Sequence, residues 1–315
     1  MGQYNFELDK VKARILQDKA KRVLVQLPEG LKSEFPGIST ALEDTGAMLI
    51  LQSDPCYGAC DIKTGYDLTV HFGHNEFIKT NDNVLYIPCH YQSRIDELLE
   101  KALPVLKGQK IGILTTSQHI HQLNEVQEFL KNRGKVPVLS RGKQRENFAN
   151  GDIMRATASG QVLGCDVSAA IEIQEQVDSF LFIGSGKFHS LGIENWAKKP
   201  VIQANPYSGE VEELESGAWE KEKYLRISKA FNAKSFGIII STKPGQRLMA
   251  TAERVKEKLP NSALIELEHV SPQVIEYLPY DAFVITACPR IVIDDWKNYK
   301  KPILLPDEAL KALQA

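Results

Sequence analysis

A chain of 315 residues with 43% apolar and 25% charged side chains has the composition of an ordinary soluble globular protein, long enough for two or three units. No apolar run nears the ~18 residues a membrane span needs, and the N-terminal segment lacks the basic then apolar pattern of a secretion signal, so a cytoplasmic protein without a membrane partner is expected. A net charge of −2 gives no general attraction to nucleic acid, and five cysteines in a chain of this kind read as reduced thiols rather than a disulfide framework.

In chain order, a strand is predicted within 21–30, where an apolar run sits between charged residues and a Pro-Glu-Gly exit. A helix over 32–45 and a second strand over 47–51 follow. After Cys56 and Cys60, Asp67 precedes a third apolar strand within 66–74, and a fourth lies at 83–88. The same order recurs from 109: strand 109–117, helix 121–133, strand 136–139, a strand after Asp178, and a strand at 200–206. It recurs again from 234: strand 234–245, helix 246–259, strand 263–267, the strand after Asp281, and a strand at 301–306. Strand, helix, strand at this length is a βαβ unit. The expected fold is therefore α/β, with three repeated four-stranded parallel-sheet units and flanking helices around a pseudo-threefold centre. The units span 1–106, 107–232 and 233–315. The middle one is longer by a polar loop at 141–160 and an acidic helix at 211–232, whose residues 212–222 form an exposed face.

Cys60 follows the second strand of the first unit, Cys165 lies between the second and third strands of the second, and Cys288 ends the third strand of the third. All three fall on the carboxyl-end side, where open parallel sheets bind ligands. With those ends turned inward, one thiolate from each unit reaches a common centre. Three thiolates suit an iron-sulfur cluster with an open fourth position, or zinc with a fourth ligand. Cys89 reads as a buried small apolar residue, and Cys56, spaced Cys-x3-Cys from Cys60, as a neighbour rather than a ligand.

Gly184-Ser-Gly-Lys-Phe-His-Ser-Leu-Gly192 follows a strand and opens toward a helix, so its amides suit an anionic or polar ligand; a plain turn is the competing reading. Gly186 and His189 are its candidate contacts. Lys243 and Gln246 hold the equivalent position in the third unit. Arg290, beyond Cys288, either holds a carboxylate bidentately or pairs with Asp294 and Asp295. Lys135, Arg141, Lys143 and Arg145 read as a solvated basic loop, with docking of an acidic or RNA-bearing partner as the lesser reading. No catalytic acid or base is assigned.

Taken together, Cys56-Tyr-Gly-Ala-Cys60-Asp, Gly160-Gln-Val-Leu-Gly-Cys165, Phe188-His-Ser-Leu-Gly192, Asn205-Pro-Tyr-Ser and Ala287-Cys-Pro-Arg-Ile-Val-Ile-Asp-Asp295 resemble one family over essentially the whole chain. It is the archaeal enzyme family of the first step of diphthamide biosynthesis, the 2-(3-amino-3-carboxypropyl)histidine synthases. The resemblance implies a [4Fe-4S] cluster on Cys60, Cys165 and Cys288, with S-adenosylmethionine on the fourth iron. It implies cleavage to a 3-amino-3-carboxypropyl radical, which adds to an imidazole carbon of one histidine of translation elongation factor 2. A homodimer and an external electron donor are implied as well. The chain lacks the Cys-x3-Cys-x2-Cys loop of ordinary radical S-adenosylmethionine enzymes. The rival readings are a quinolinate synthase-like enzyme and a zinc-stabilised α/β binding module.

Overall fold

The computed structural model describes residues 4–144, 153, 155–214 and 217–312. Its strands are β1 (Tyr4–Asn5), β2 (Arg22–Gln26), β3 (Met48–Leu51), β4 (Leu68–Phe72), β5 (Val84–Ile87) and β6 (His90–Tyr91), then β7 (Lys110–Thr115), β8 (Val136–Val138), β9 (Ser179–Ile183), β10 (Val201–Asn205) and β11 (Glu210–Glu213). The last four are β12 (Phe236–Ser241), β13 (Ser262–Leu267), β14 (Ala282–Ile285) and β15 (Ile303–Leu304). Three mainly parallel sheets result, ordered β3-β2-β4-β5, β11-β10-β9-β7-β8 and β13-β12-β14-β15. In each, the first strand of the recurring pattern lies between the second and the third, with the fourth outside the third. The expected α/β architecture of several parallel sheets with helices is thus present.

Two local features recur because the same backbone problem recurs. Asp67 Oδ2 accepts the N–H groups of Lys21 (3.0 Å) and Arg22 (2.8 Å). Asp178 Oδ2 does the same for Gln109 (2.7 Å) and Lys110 (2.8 Å), and Asp281 Oδ2 for Lys234 and Ser235 (both 2.9 Å). An aspartate before each third strand therefore pins the start of the adjacent first strand. The second feature is steric. Gly112 and Gly237 stand where a Cβ would lie 2.6 Å from the rings of Phe180 and Phe283 on the neighbouring strand, so each glycine makes room for a phenylalanine.

Backbone donors hold all three of these carboxyls below the usual aspartate range. A carboxyl lowered in the folded state binds fewer protons there than in the unfolded chain, so its stabilisation is complete above the unfolded value and is lost as pH falls through the folded one. Replacing Asp67, Asp178 and Asp281 together by Asn is expected to flatten the fall in melting temperature below about pH 4. A thermal melt series from pH 6 to 3 that leaves the slope unchanged would remove the aspartates from this role.

Two stretches depart from expectation. The segment 32–45 is not one helix but a 3-10 turn (Glu29–Glu34), a short α-helix (Phe35–Ala41) and a second 3-10 turn (Glu43–Thr45). Pro36 fits only the first turn of an α-helix, so the helix restarts there. The acidic helix expected over 211–232 begins instead as strand β11, antiparallel to β10 from Ile202 against Glu213 to Asn205 against Glu210, and only Ala218–Ala230 is helical. Glutamates suit a sheet edge as well as a helix face, and the turn after Asn205 carries the chain back alongside β10. In the loop 141–160, residues 145–152 and 154, Arg145 among them, lie outside the described residues.

Contacts group the chain into two compact units, 1–214 and 215–315, with the first two sheets together in one. The helix Ala218–Ala230, read from sequence as part of the second repeat, belongs to the second unit. There Arg226 is 1% exposed and its ion partner Glu308 is wholly buried. Among the described residues, no helix is long and apolar enough to cross a membrane.

Candidate functional site

In the first unit two of the three expected ligands are drawn to one place. Cys60 sits in the 3-10 turn Ala59–Asp61, between β3 and β4. Cys165 and Gly164 form the tip of a tight turn closed by the backbone pair Leu163 and Asp166 (2.9 and 3.1 Å). The buried Asp166 carboxylate accepts the N–H groups of Ser168 (3.0 Å) and Ala156 (3.2 Å), which fixes the turn. Both half-buried cysteines pack against a small core of Ala59, Phe77 and Ile78, with Tyr86, Ile153 and Leu163 around it.

Cys56 and Cys89 differ from this pair. Burial pushes the Cys56 thiol up to about 11 and the Cys89 thiol up to about 12, so both stay protonated at neutral pH. All five cysteines are thiols. Among the described residues, no group of three or more His, Cys, Asp or Glu side chains is gathered into a site for a single metal ion.

Sequence reasoning missed the polar layer on the first sheet. Leu68, Val70 and Phe72 of β4 face the apolar core, so alternation turns Thr69 and His71 to the other face. His71 Nδ1 lies 3.3 Å from Gln26 Oε1 and its Nε2 3.0 Å from His74 Nδ1. Gln26 also donates to the Asp61 carbonyl (3.2 Å) and accepts the Lys63 N–H (3.2 Å), so this layer anchors the residues just after Cys60. Burial pushes the His71 pKa well below its ordinary value, helped by His74, and lowers that of His74 to about 4. Both imidazoles are neutral at pH 7. The available signal was the alternation of Leu68-Thr-Val-His-Phe72, polar side chains interleaved in an otherwise apolar strand.

At the carboxyl end of β9, Gly186 precedes the helix Lys187–Ala197 with φ 67°, a left-handed value that glycine adopts freely. His189 in its first turn stacks on Phe182, ring centroids 6.0 Å apart. The second unit collects the remaining candidates at the carboxyl edge of its sheet, because β12 and β14 are neighbours and their exits leave side by side. Lys243, 6% exposed, follows β12; its N–H donates to Ser241 Oγ (3.1 Å) and its carbonyl accepts the Gln246 N–H (3.0 Å). Cys288 follows β14 and its carbonyl accepts the Ile291 N–H (3.2 Å) as the helix Arg290–Asp295 begins. Arg290 is 4% exposed and pairs with Asp294, whose carboxyl is nevertheless raised because burial outweighs the guanidinium. Lys243, Gln246, Cys288 and Arg290 thus share one edge of one sheet, while Gly186 and His189 belong to the other unit.

Parallel sheets flanked by helices, with Lys243, Cys288 and Arg290 at the carboxyl edge of one of them, are the architecture of α/β proteins, many of which bind ligands at strand ends. Residues 27–315 match the diphthamide synthesis protein family. The chain is 35% identical to the 2-(3-amino-3-carboxypropyl)histidine synthase of Pyrococcus horikoshii, over 92% of this chain and 84% of that one. It is 30% identical to the synthase of Methanocaldococcus jannaschii, over 97% and 88% of the two chains. The crystal structure of Dph2 from P. horikoshii superposes with a TM-score of 0.88 at 32% identity, covering 98% of this chain and 91% of that one. A crystal structure of that Dph2 with a 4Fe-4S cluster matches equally well. The chain belongs to the diphthamide synthesis family and is an enzyme of its 2-(3-amino-3-carboxypropyl)histidine synthase group, a transferase.

Proposed function

We propose that the chain transfers the 3-amino-3-carboxypropyl group of S-adenosylmethionine to a histidine imidazole carbon of translation elongation factor 2, with Cys60, Cys165 and Cys288 holding a [4Fe-4S] cluster. The observation that carries this reading is the packing of Cys60 and Cys165 against one apolar core, in a chain whose 32%-identical relative was solved with such a cluster. The donors suit the group. Thiolates are the ligands iron-sulfur clusters take, the turn at Gly164-Cys165 is fixed by backbone bonds, and Ala59, Phe77 and Ile78 make the surroundings apolar. In this reading the repeats 1–106, 107–232 and 233–315 surround a pseudo-threefold centre, and Cys288 is the third ligand.

When bound and reduced, the cluster supplies the electron that breaks one carbon-sulfur bond of the sulfonium, and the radical chemistry is the cofactor's own. Orientation falls to the protein. Arg290 and Lys243 are suited to the donor's carboxylate, Arg290 through its fork and Lys243 as a point charge. Gly186 offers backbone approach, and His189 and Gln246 offer hydrogen bonds. A cytoplasmic homodimer of archaeal type, served by an external electron donor and without nucleic acid or membrane contacts, completes the proposal.

Anaerobic purification is expected to give a brown protein with about four irons per chain. Dithionite, S-adenosylmethionine and elongation factor 2 should then yield 5'-methylthioadenosine and the modified histidine. A colourless zinc protein, or release of 5'-deoxyadenosine in place of 5'-methylthioadenosine, would overturn the assignment.

A further inference from the structure

We propose that the Tyr86 hydroxyl donates a hydrogen bond to a sulfur of the group held at Cys60 and Cys165, as a positioning residue that sets how readily the group is reduced; this rests on the cluster reading above. Tyr86 lies on β5, where Leu85 and Ile87 face the core of the first sheet. Alternation turns Tyr86 to the opposite face, where it packs against the same Ala59, Phe77 and Ile78 core as the two cysteines. Its hydroxyl is shielded from solvent and has no hydrogen-bond partner among the described residues.

A shielded hydroxyl with no acceptor is destabilising, and phenylalanine would fill the same space without that cost. The neighbouring imidazole does not relieve it. The His71 ring is 5.7 Å away, and its two nitrogens face Gln26 and His74. A phenol, with an ordinary pKa of about 10, keeps its proton at neutral pH. A proton donor packed on the same apolar core as two cysteines suits an anionic sulfur acceptor. Hydrogen bonds to cluster sulfurs are among the features that set reduction potential, and they favour the more negative, reduced state.

The test is Tyr86→Phe in the full chain, with iron content, the melting temperature of the iron-free protein, and a redox titration followed by electron paramagnetic resonance. Full iron, an unchanged or higher melting temperature, a midpoint shifted to more negative potential and altered g-values are expected. Loss of iron at an unchanged iron-free melting temperature also supports the role, because only one oxygen has been removed. An unchanged midpoint and spectrum at full iron would overturn it. So would a lower melting temperature of the iron-free variant, which would mean that the hydroxyl bonds within the protein itself. A wild-type chain that takes up no iron removes the cluster reading, a failure seen before the variant is made.

Discussion

Cys165→Ala is expected to leave the protein folded and without iron. The turn that carries Cys165 is closed by the backbone of Leu163 and Asp166 and braced by the Asp166 carboxylate, so the thiol can be removed without undoing it. The iron-free melting temperature should therefore match that of the wild type. Affinity for the cluster should fall by more than the roughly 10–100-fold that loss of an outer-shell partner costs, and product formation should fall with it. Cys288→Ala is expected to behave alike, since the residue follows a strand end and alanine keeps the carbonyl that accepts the Ile291 N–H at the helix start. Cys89→Ala should keep its iron, because that thiol is wholly buried among core residues of the first sheet. Iron analysis of the three proteins after identical anaerobic reconstitution decides the matter. Retained iron in either of the first two breaks the ligand assignment.

Glu308→Ala is expected to cost the second unit about 3–5 kcal/mol in urea unfolding, the range for stripping one partner from a buried ion pair. Arg226 and Glu308 make two hydrogen bonds, of 2.6 and 3.2 Å. Glu308 also accepts the Leu305 N–H (3.1 Å) where β15 turns into the last helix. The guanidinium lies 4.7 Å from the Trp219 ring and 5.9 Å from the Trp296 ring, so alanine at 308 leaves a buried charge among aromatic faces without its bidentate partner. Removing both charges is a different matter. Arg226→Met with Glu308→Leu is expected to lose far less than Glu308→Ala, because the desolvation penalty disappears along with the attraction. A single variant that unfolds within about 1 kcal/mol of wild type would show the pair to be solvated after all.

The twelve strands of the recurring pattern were legible because each is a short apolar run between turn residues, and because the aspartate before each third strand marks its register. The pieces that were not legible fail for specific reasons. Glu210–Glu213 has the composition of a solvated helix, and only its partner β10 makes it a strand. Tyr4–Asn5 and His90–Tyr91 are two residues each, too short for any periodicity to show. Cys60 and Cys165 could be placed on matching connections from the order of elements alone. That they pack on Ala59, Phe77 and Ile78 could not, because Phe77 and Ile78 come from a connection whose path no local pattern dictates. The layer of Gln26, His71 and His74 stayed hidden for a related reason. Two imidazoles in a strand region look alike whether they meet water or each other.

The second sheet closes at both margins in ways that matter when many copies of the chain are crowded together. One margin is β11, three of whose four residues are glutamates, with Glu213 3.1 Å from Lys107. The other is β8, whose middle residue, Pro137, has no amide proton to offer. A stray strand arriving at the first margin meets like-charged carboxylates, and at the second an interrupted ladder. Copies of this protein are thereby discouraged from zipping together through that sheet into fibres.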